Sequence, residues 1–174
     1  YNDAGSIPMS AFSNLGEATL ENCTIKGTYW VGSKDLNTSG QAAYDNYGIY
    51  DIFVPNSNLT HLKNSTVGTI YINNHGNLKI SGTSVVDRVY APAIVKATIT
   101  IESGAKVKLL DAEHYSASYA PSIDIKAGAT IETLQLNSIA KTSKITIEAG
   151  ASINKIIHKG VEYSSITDFK NSLL

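Results

Sequence analysis

Three segments of the chain share one pattern: TITIESGAKV at residues 98–107, SIDIKAGATI at 122–131 and KITIEAGASI at 144–153. In each segment, apolar and polar residues alternate, a glycine–alanine corner follows, and a second alternating run then begins. Alternation with a period of two is typical of β-strands that bury one side. The glycine supplies a positive φ angle, or it lets neighbouring chain segments approach closely at the corner.

Weaker copies of this pattern occur earlier in the chain, at 69–78, 52–59 and 18–27. Aligned on the glycines at positions 76, 104, 128 and 150, the copies lie 28, 24 and 22 residues apart. A unit of this length cannot bury its own apolar side, whereas stacked units can. We therefore predict an all-β fold, a right-handed parallel β-helix with about six to seven coils. A leucine-rich repeat or an antiparallel sandwich does not explain a turn that recurs in the same place.

Most of the stretch from 15 to 163 resembles the pectate-lyase-like β-helix superfamily, through the repeat and through the L-x-N-C-x-I-x-G run at 20–27, which puts Asn22 at a turn. The resemblance implies the fold and carries over no catalytic residue. A lyase of this superfamily would be expected to show several calcium-binding Asp residues and an Arg base. A polygalacturonase-like hydrolase would be expected to show paired Asp motifs with Gly-His-Gly. This chain has a single Arg, Arg88, and contains no Gly-His-Gly.

The C-terminal residues 164–174 predict a short amphipathic helix that caps the last coil. Ser165 and Asp168 are spaced as in a capping box, and Ile166, Phe169 and Leu173 fall on one helical face. The alternative is a helix that binds a partner. We expect one β-helix domain over 1–174, with an irregular start at 1–15 and coils at 16–163. A chain that starts at Tyr1 is expected to be a fragment of a larger protein.

The composition narrows the classes of function. The formal net charge is -1 and the sequence pI is about 6.5, so binding to nucleic acid is not expected. No apolar run is long enough to insert into a membrane. The single cysteine, Cys23, allows neither an internal disulfide nor a thiolate zinc site. Abundant Asn, Ser, Thr, Gly and Tyr indicate an extracellular β-rich protein.

A first candidate site lies in the loops after the second strand of each coil. With the coils aligned on their glycines, Asp87 of one coil falls beside Asp111 of the next. The side chains expected around them are Arg88, Tyr90, Glu113, His114, Tyr115 and Tyr119, with Asn137 and His158 in the corresponding place of later coils. This is the one place where acids, an imidazole, a guanidinium and phenols converge.

Four interpretations of this first site remain open. Asp87, Asp111 and Glu113 have the oxygen ligands that calcium prefers, so calcium is a possible cofactor although none is required. The same three acids are the candidates for acid–base cleavage of a glycosidic bond. Tyr rings with polar neighbours suit a sugar. The fourth interpretation is solvated charge, with Asp87 paired to Arg88 or Lys96.

A second candidate site is the insertion at 27–51, which is rich in Tyr, Gly, Asn and Ser. It contains Tyr29, Trp30, Tyr44 and Tyr47, and this composition is typical of adaptable binding surfaces. The alternative is an ordinary connection in which Trp30 and Tyr50 are buried. The sequence shows no nucleophile elbow and no phosphate-binding loop.

These observations favour a non-catalytic binding or adhesion domain of a bacterial surface protein or a phage tail. Such a domain would be extracellular, on the cell surface or on the virion, and would recognise a glycan or a cell-surface receptor through its lateral loops. The alternatives are a β-helix polysaccharide lyase or glycoside hydrolase, and a structural shaft or spacer. We expect a monomer or a homotrimer.

Overall fold

The structure is a computed structural model, and it describes residues 17–25, 29–30, 49–50, 52–54, 59–72, 75–91, 96–113, 121–137 and 144–172. In chain order the elements are β1 (Ala18–Glu21), β2 (Thr24–Ile25), β3 (Tyr29–Trp30), β4 (Ile49–Tyr50), β5 (Ile52–Val54), β6 (Leu59–Lys63), β7 (Thr66–Ile72), β8 (Asn77–Ser81), β9 (Val85–Ala91), β10 (Thr98–Ile101), β11 (Lys106–Glu113), β12 (Ser122–Ile125), β13 (Thr130–Asn137), β14 (Lys144–Ile147), β15 (Ser152–His158), β16 (Val161–Tyr163) and the helix α1 (Ile166–Ser172).

The strands form a parallel β-solenoid, as the repeat predicts. Sheet A has the order β1-β6-β8-β10-β12-β14, and all its neighbours are parallel. Sheet B has the order β2-β7-β9-β11-β13-β15-β16, and only its last pair, β15 with β16, is antiparallel. Each coil contributes one strand to sheet A and the next strand to sheet B.

The solenoid has about four turns, which the chain completes between β6 and β14. The expectation of about six to seven coils is therefore wrong. The difference arises between β2 and β6, where the chain does not make regular coils. It forms instead the antiparallel pair β3–β4 and the short strand β5, which pairs with β7 outside the main strand order.

The core is built from columns of inward-facing residues, one from each coil. Ile101, Ile125 and Ile147 are register partners in successive strands of sheet A and are 0%, 0% and 5% exposed. The predicted inward-facing column is thus confirmed. Burying each such side chain contributes about 2–3 kcal/mol before the cost of ordering the chain. Sheet B supplies the facing columns, for example Val86, Val107 and Ile131.

The corner between the two sheets is a glycine turn that itself stacks from coil to coil. Gly104 and Gly128 have φ angles of 85° and 81°, in the left-handed region that an L side chain rarely adopts. The Gly104 amide donates to the Gly128 carbonyl at 3.0 Å, and Gly128 donates to Gly150 at 3.0 Å. The hydrogen-bond ladder therefore continues through the corner without a break.

The structure corrects the alignment of the earlier repeats. Leu78 pairs with Ile99 and Ile80 with Ile101, so the corner that matches Gly104 is Gly82, whereas Gly76 precedes β8. The apolar runs at 69–72 and 52–54 belong to sheet B. The misalignment has a simple cause, because both strands of a coil alternate in the same way and periodicity does not tell one strand from the other.

The first two corners use asparagine where the later corners use glycine. Asn22 and Asn64 have φ angles of 55° and 51°, and asparagine tolerates this region better than other side chains. The Asn22 amide donates to the Lys63 carbonyl at 3.0 Å, which continues the ladder to the first coil. The prediction of Asn22 at a turn is confirmed.

The C-terminal cap has the predicted form. The Asp168 amide donates to Ser165 Oγ at 3.0 Å, and Ser165 Oγ donates to Asp168 Oδ2 at 2.7 Å, which together start α1. Phe169 is 0% exposed and packs edge-on against His158 and Tyr163. The apolar side of α1 thus covers the last coil. Leu173 and the predicted N-terminal segment 1–15 lie outside the described residues.

We predict that Gly104→Ala destabilises the protein more than Gly150→Ala. Both glycines occupy the same turn position, with φ angles of 85° and 93°, so alanine costs roughly 1–2 kcal/mol at either. A Cβ at position 104 would lie 2.8 Å from the Gly82 carbonyl oxygen, whereas one at 150 has its nearest neighbour at 3.5 Å. Urea denaturation should show an extra loss of about 1 kcal/mol for Gly104→Ala. Equal losses would contradict the close stacking of the corners.

We also predict that Thr60→Val stabilises the protein. Thr60 is 0% exposed, and its Oγ1 has no hydrogen-bond partner in the structure. Because valine has the same shape without the buried hydroxyl, the free energy of unfolding should rise by about 1 kcal/mol. Thr100→Val on the outer side of sheet A is the control and should change it by less than about 0.5 kcal/mol. A loss of stability in Thr60→Val would show that the hydroxyl has a partner.

Candidate functional site

The candidate site lies on the outer side of sheet B, where each strand bends. Val86 pairs with Val107 and Arg88 with Leu109, so that Asp87 and Lys108 stand at the bend. Beyond the bend the alternation resumes with Val89 and Ala91 buried in the core. One outward position in each coil then forms a column, defined here as the outer column: Tyr71, Tyr90, Asp111, Gln135 and Ile157.

Four side chains meet on and beside the outer column. Arg88 Nη2 donates to Asp111 Oδ2 at 2.7 Å, which joins two neighbouring coils. The guanidinium carbon of Arg88 lies 4.7 Å from the centroid of the Tyr90 ring, within the range of a cation–π contact. Tyr71 packs edge-on against Tyr90 with the ring centroids 5.9 Å apart. We call these four residues the Arg88–Asp111 cluster.

The cluster contains a carboxylate that is shielded from solvent although its backbone position faces outward. Asp111 is only 5% exposed, whereas the Arg88 side chain is 39% exposed. Asp111 Oδ1 and Arg88 Nε are both buried and have no hydrogen-bond partner in the structure. Unsatisfied buried polar atoms are rare in proteins, and each costs about 1–3 kcal/mol. The cluster therefore contains one unused acceptor and one unused donor on the same ion pair.

The structure separates Asp87 from Asp111. The predicted alignment paired these two residues, but the partner of Asp111 in β9 is Tyr90, three residues further along. Asp87 forms an ion pair with Lys108 at 2.7 Å, and not with Arg88 or Lys96. The hydrogen bond to Asp87, with its charge, raises the pKa of Lys108. The expected neighbourhood of two acids is therefore wrong, because coils of unequal length do not align on their glycines.

Of the other predicted residues, Arg88 and Tyr90 are brought together with Asp111. Glu113 follows on the same strand and pairs with Asn137, while its side chain lies outside the described residues. His114, Tyr115 and Tyr119 also lie outside them. His158 does not join the site, since it is 5% exposed and packs under the C-terminal cap.

The aromatic insertion begins beside the cluster. Tyr29 pairs with Tyr50 and Trp30 with Ile49, which makes β3 and β4 the antiparallel stem of the segment at 31–48. Strand β4 lies against β7, the strand that carries Tyr71. The two candidate sites are therefore neighbours. The side chains of Tyr29 and Trp30, and the whole of Tyr44 and Tyr47, lie outside the described residues.

Tyr71 was missed by the sequence analysis. It lies 19 residues before Tyr90, and this spacing is the true repeat between β7 and β9. The alignment on Gly76 hid it, because that alignment placed residues 69–72 in the wrong sheet. A search for equal spacing of the apolar residues, without the glycines, would have placed the two tyrosines together.

Within the described ranges, no group of three or more His, Cys, Asp or Glu side chains is arranged to hold a metal ion. Nor does any helix there have the length and apolar character needed to cross a membrane. In comparisons with known proteins, no family model, no curated protein sequence and no solved structure matches the chain.

We predict that Arg88→Met destabilises the protein, because it leaves the buried Asp111 carboxylate without a counter-charge. A loss of about 2–3 kcal/mol is expected in urea denaturation. Lys108→Met is the matched control, since it removes an equally short ion pair from an Asp87 side chain that is 46% exposed. That control should change stability by less than about 0.5 kcal/mol. Similar losses in both variants would contradict the burial of Asp111.

Proposed function

We propose that the protein is a non-catalytic binding domain that recognises a glycan on a surface, through the side of the solenoid that carries the Arg88–Asp111 cluster. One observation supports this above all. The connections that follow β7, β9, β11 and β13 all leave the solenoid at the same edge of sheet B, and they contain four, six, eight and six residues. A regular scaffold with variable connections at one edge is the usual arrangement of a binding surface.

The chemistry of the cluster suits a sugar. Tyrosine rings pack against the apolar faces of sugar rings, and nearby carboxylate, guanidinium and amide groups bind hydroxyls. The outer column supplies Tyr71, Tyr90, Asp111 and Gln135 in four successive coils. A cell-surface protein receptor is the alternative ligand for the same side.

The setting of this function is also a proposal. The low content of charged residues, 17%, and the abundance of Asn, Ser, Thr and Tyr support an extracellular protein on a bacterial surface or a phage tail. We further propose membership of the pectate-lyase-like β-helix superfamily. Its support is the parallel solenoid alone, and a shared fold does not carry a function.

A polysaccharide lyase or hydrolase has less support. Such an enzyme would use Asp87, Asp111 and Glu113 as acids, but Asp87 and Asp111 are each engaged in an ion pair and belong to different columns. Paired carboxylates facing one bond are what glycoside cleavage needs.

The structural shaft also has less support. A shaft that packs against partners needs a continuous apolar stripe on its outside. Along the outer column, Ile157 is separated from the tyrosines by Asp111 and Gln135. The outer side of sheet A is polar and carries ion pairs, such as Lys79 with Glu102 and Lys126 with Asp124.

We predict that the whole chain binds glycans on an array and that Tyr90→Ala weakens this binding at least about tenfold. Removing the ring takes away the aromatic wall of the cluster. The matched control is Thr100→Ala, on the outer side of sheet A, which should bind like the wild type. Melting curves of both variants establish that they are folded. The absence of any glycan bound by the wild type, or equal binding by folded Tyr90→Ala, would contradict the proposal.

A further inference from the structure

We infer that the Arg88–Asp111 ion pair is the polar centre of a subsite for an uncharged sugar, in which one hydroxyl bridges Asp111 Oδ1 and Arg88 Nε. The inference rests on the proposed function and narrows its ligand to neutral glycans, as opposed to uronates or other acidic sugars. It uses the two atoms of the cluster that have no partner.

The first step concerns the cost of the arrangement. Asp111 is 5% exposed, yet only its Oδ2 is compensated, by Arg88 Nη2 at 2.7 Å. Oδ1 and Nε belong to the same pair and remain unsatisfied. A solenoid that only needed stability would be served as well by an apolar residue at this outward position. The retained carboxylate therefore points to a ligand that completes its hydrogen bonds.

The second step concerns the kind of group that fits. Oδ1 requires a donor, and the Nε–H group requires an acceptor. A hydroxyl is both at once, so a single sugar hydroxyl satisfies the two atoms. A carboxylate group cannot donate to Oδ1 and would be repelled by it. The geometry thus favours a polyhydroxylated ligand over an acidic one.

The third step concerns charge. Arg88 is the single arginine of the chain, and its charge is balanced by Asp111. The register neighbours of the pair are Thr69, Leu109 and Gln135, which carry no charge. At the adjoining bend, Lys108 is balanced by Asp87. Among the described residues around the cluster, no cation is left over to attract an acidic sugar.

The fourth step concerns access. Oδ1 and Nε are shielded from solvent, so the hydroxyl enters only if a side chain shifts. Arg88 is the residue able to do so, since its side chain is 39% exposed while Asp111 is held at 7%. An outward movement of the guanidinium opens the carboxylate and leaves Nε facing the incoming group.

The test is an array of neutral glucose, galactose and mannose oligosaccharides beside their uronate counterparts, probed with the whole chain. The wild type should bind neutral members. Asp111→Asn removes the acceptor charge and frees Arg88, so neutral binding should fall about tenfold to hundredfold and uronate binding should rise. Asp124→Asn is the matched control, because Asp124 also pairs with a cation and also has an unsatisfied Oδ1, but lies on sheet A. It should leave both unchanged.

A second variant keeps the test sharp if Asp111→Asn does not fold. Arg88→Lys keeps the positive charge beside Asp111 but lacks the Nε donor, so neutral binding should fall while the fold is retained. Wild-type preference for uronates, or neutral binding within about twofold in folded Asp111→Asn, would overturn the inference and leave the binding proposal standing. An array on which the wild type binds nothing would overturn the proposed function itself.

Discussion

The structure depends on the parallel hydrogen-bond ladder that holds each coil in register with the next. The ladder runs through the strands and continues through the corners, where Gly104 bonds to Gly128 and Gly128 to Gly150. A slip of one residue would turn every inward side chain outward, so the buried Ile columns and the ladder enforce the same register. The outer column is a consequence, since residues 19 to 24 positions apart are placed side by side.

The same constraint explains how much of the fold could be predicted. The segments at 98–107, 122–131 and 144–153 keep the same corner in each coil, and the columns through Ile101, Ile125 and Ile147 followed directly. The earlier coils use Asn22, Asn64 and Gly82 at the corner, so an alignment on Gly76 misplaced them. The capping box at Ser165 is a local signal and was found, whereas the coil number depended on how residues 26–58 pair, which local patterns do not determine.

The candidate site shows the limit of that approach more clearly. The sequence brought Arg88, Tyr90 and Asp111 together correctly in outline, because all three follow the second strand of a coil. It paired Asp87 with Asp111 wrongly, since the bend in sheet B takes up one residue and the loops differ in length. Once the register is known, an acidic pair becomes two separate ion pairs, and the chemistry changes from catalysis toward binding. The buried carboxylate of Asp111 is the feature that stability alone does not explain.

Disulfide trapping tests the central claim, the register of the coils, most directly. In a Cys23→Ser background, Thr100→Cys with Asp124→Cys places two cysteines on register partners of adjacent strands, about 4.8 Å apart, which a disulfide spans. Thr100→Cys with Thr146→Cys is the control, two strands and about 9.6 Å apart. Mass spectrometry of non-reduced peptides should find the disulfide in the first pair and not in the second. No disulfide in the first pair, or equal amounts in both, would contradict the parallel stack.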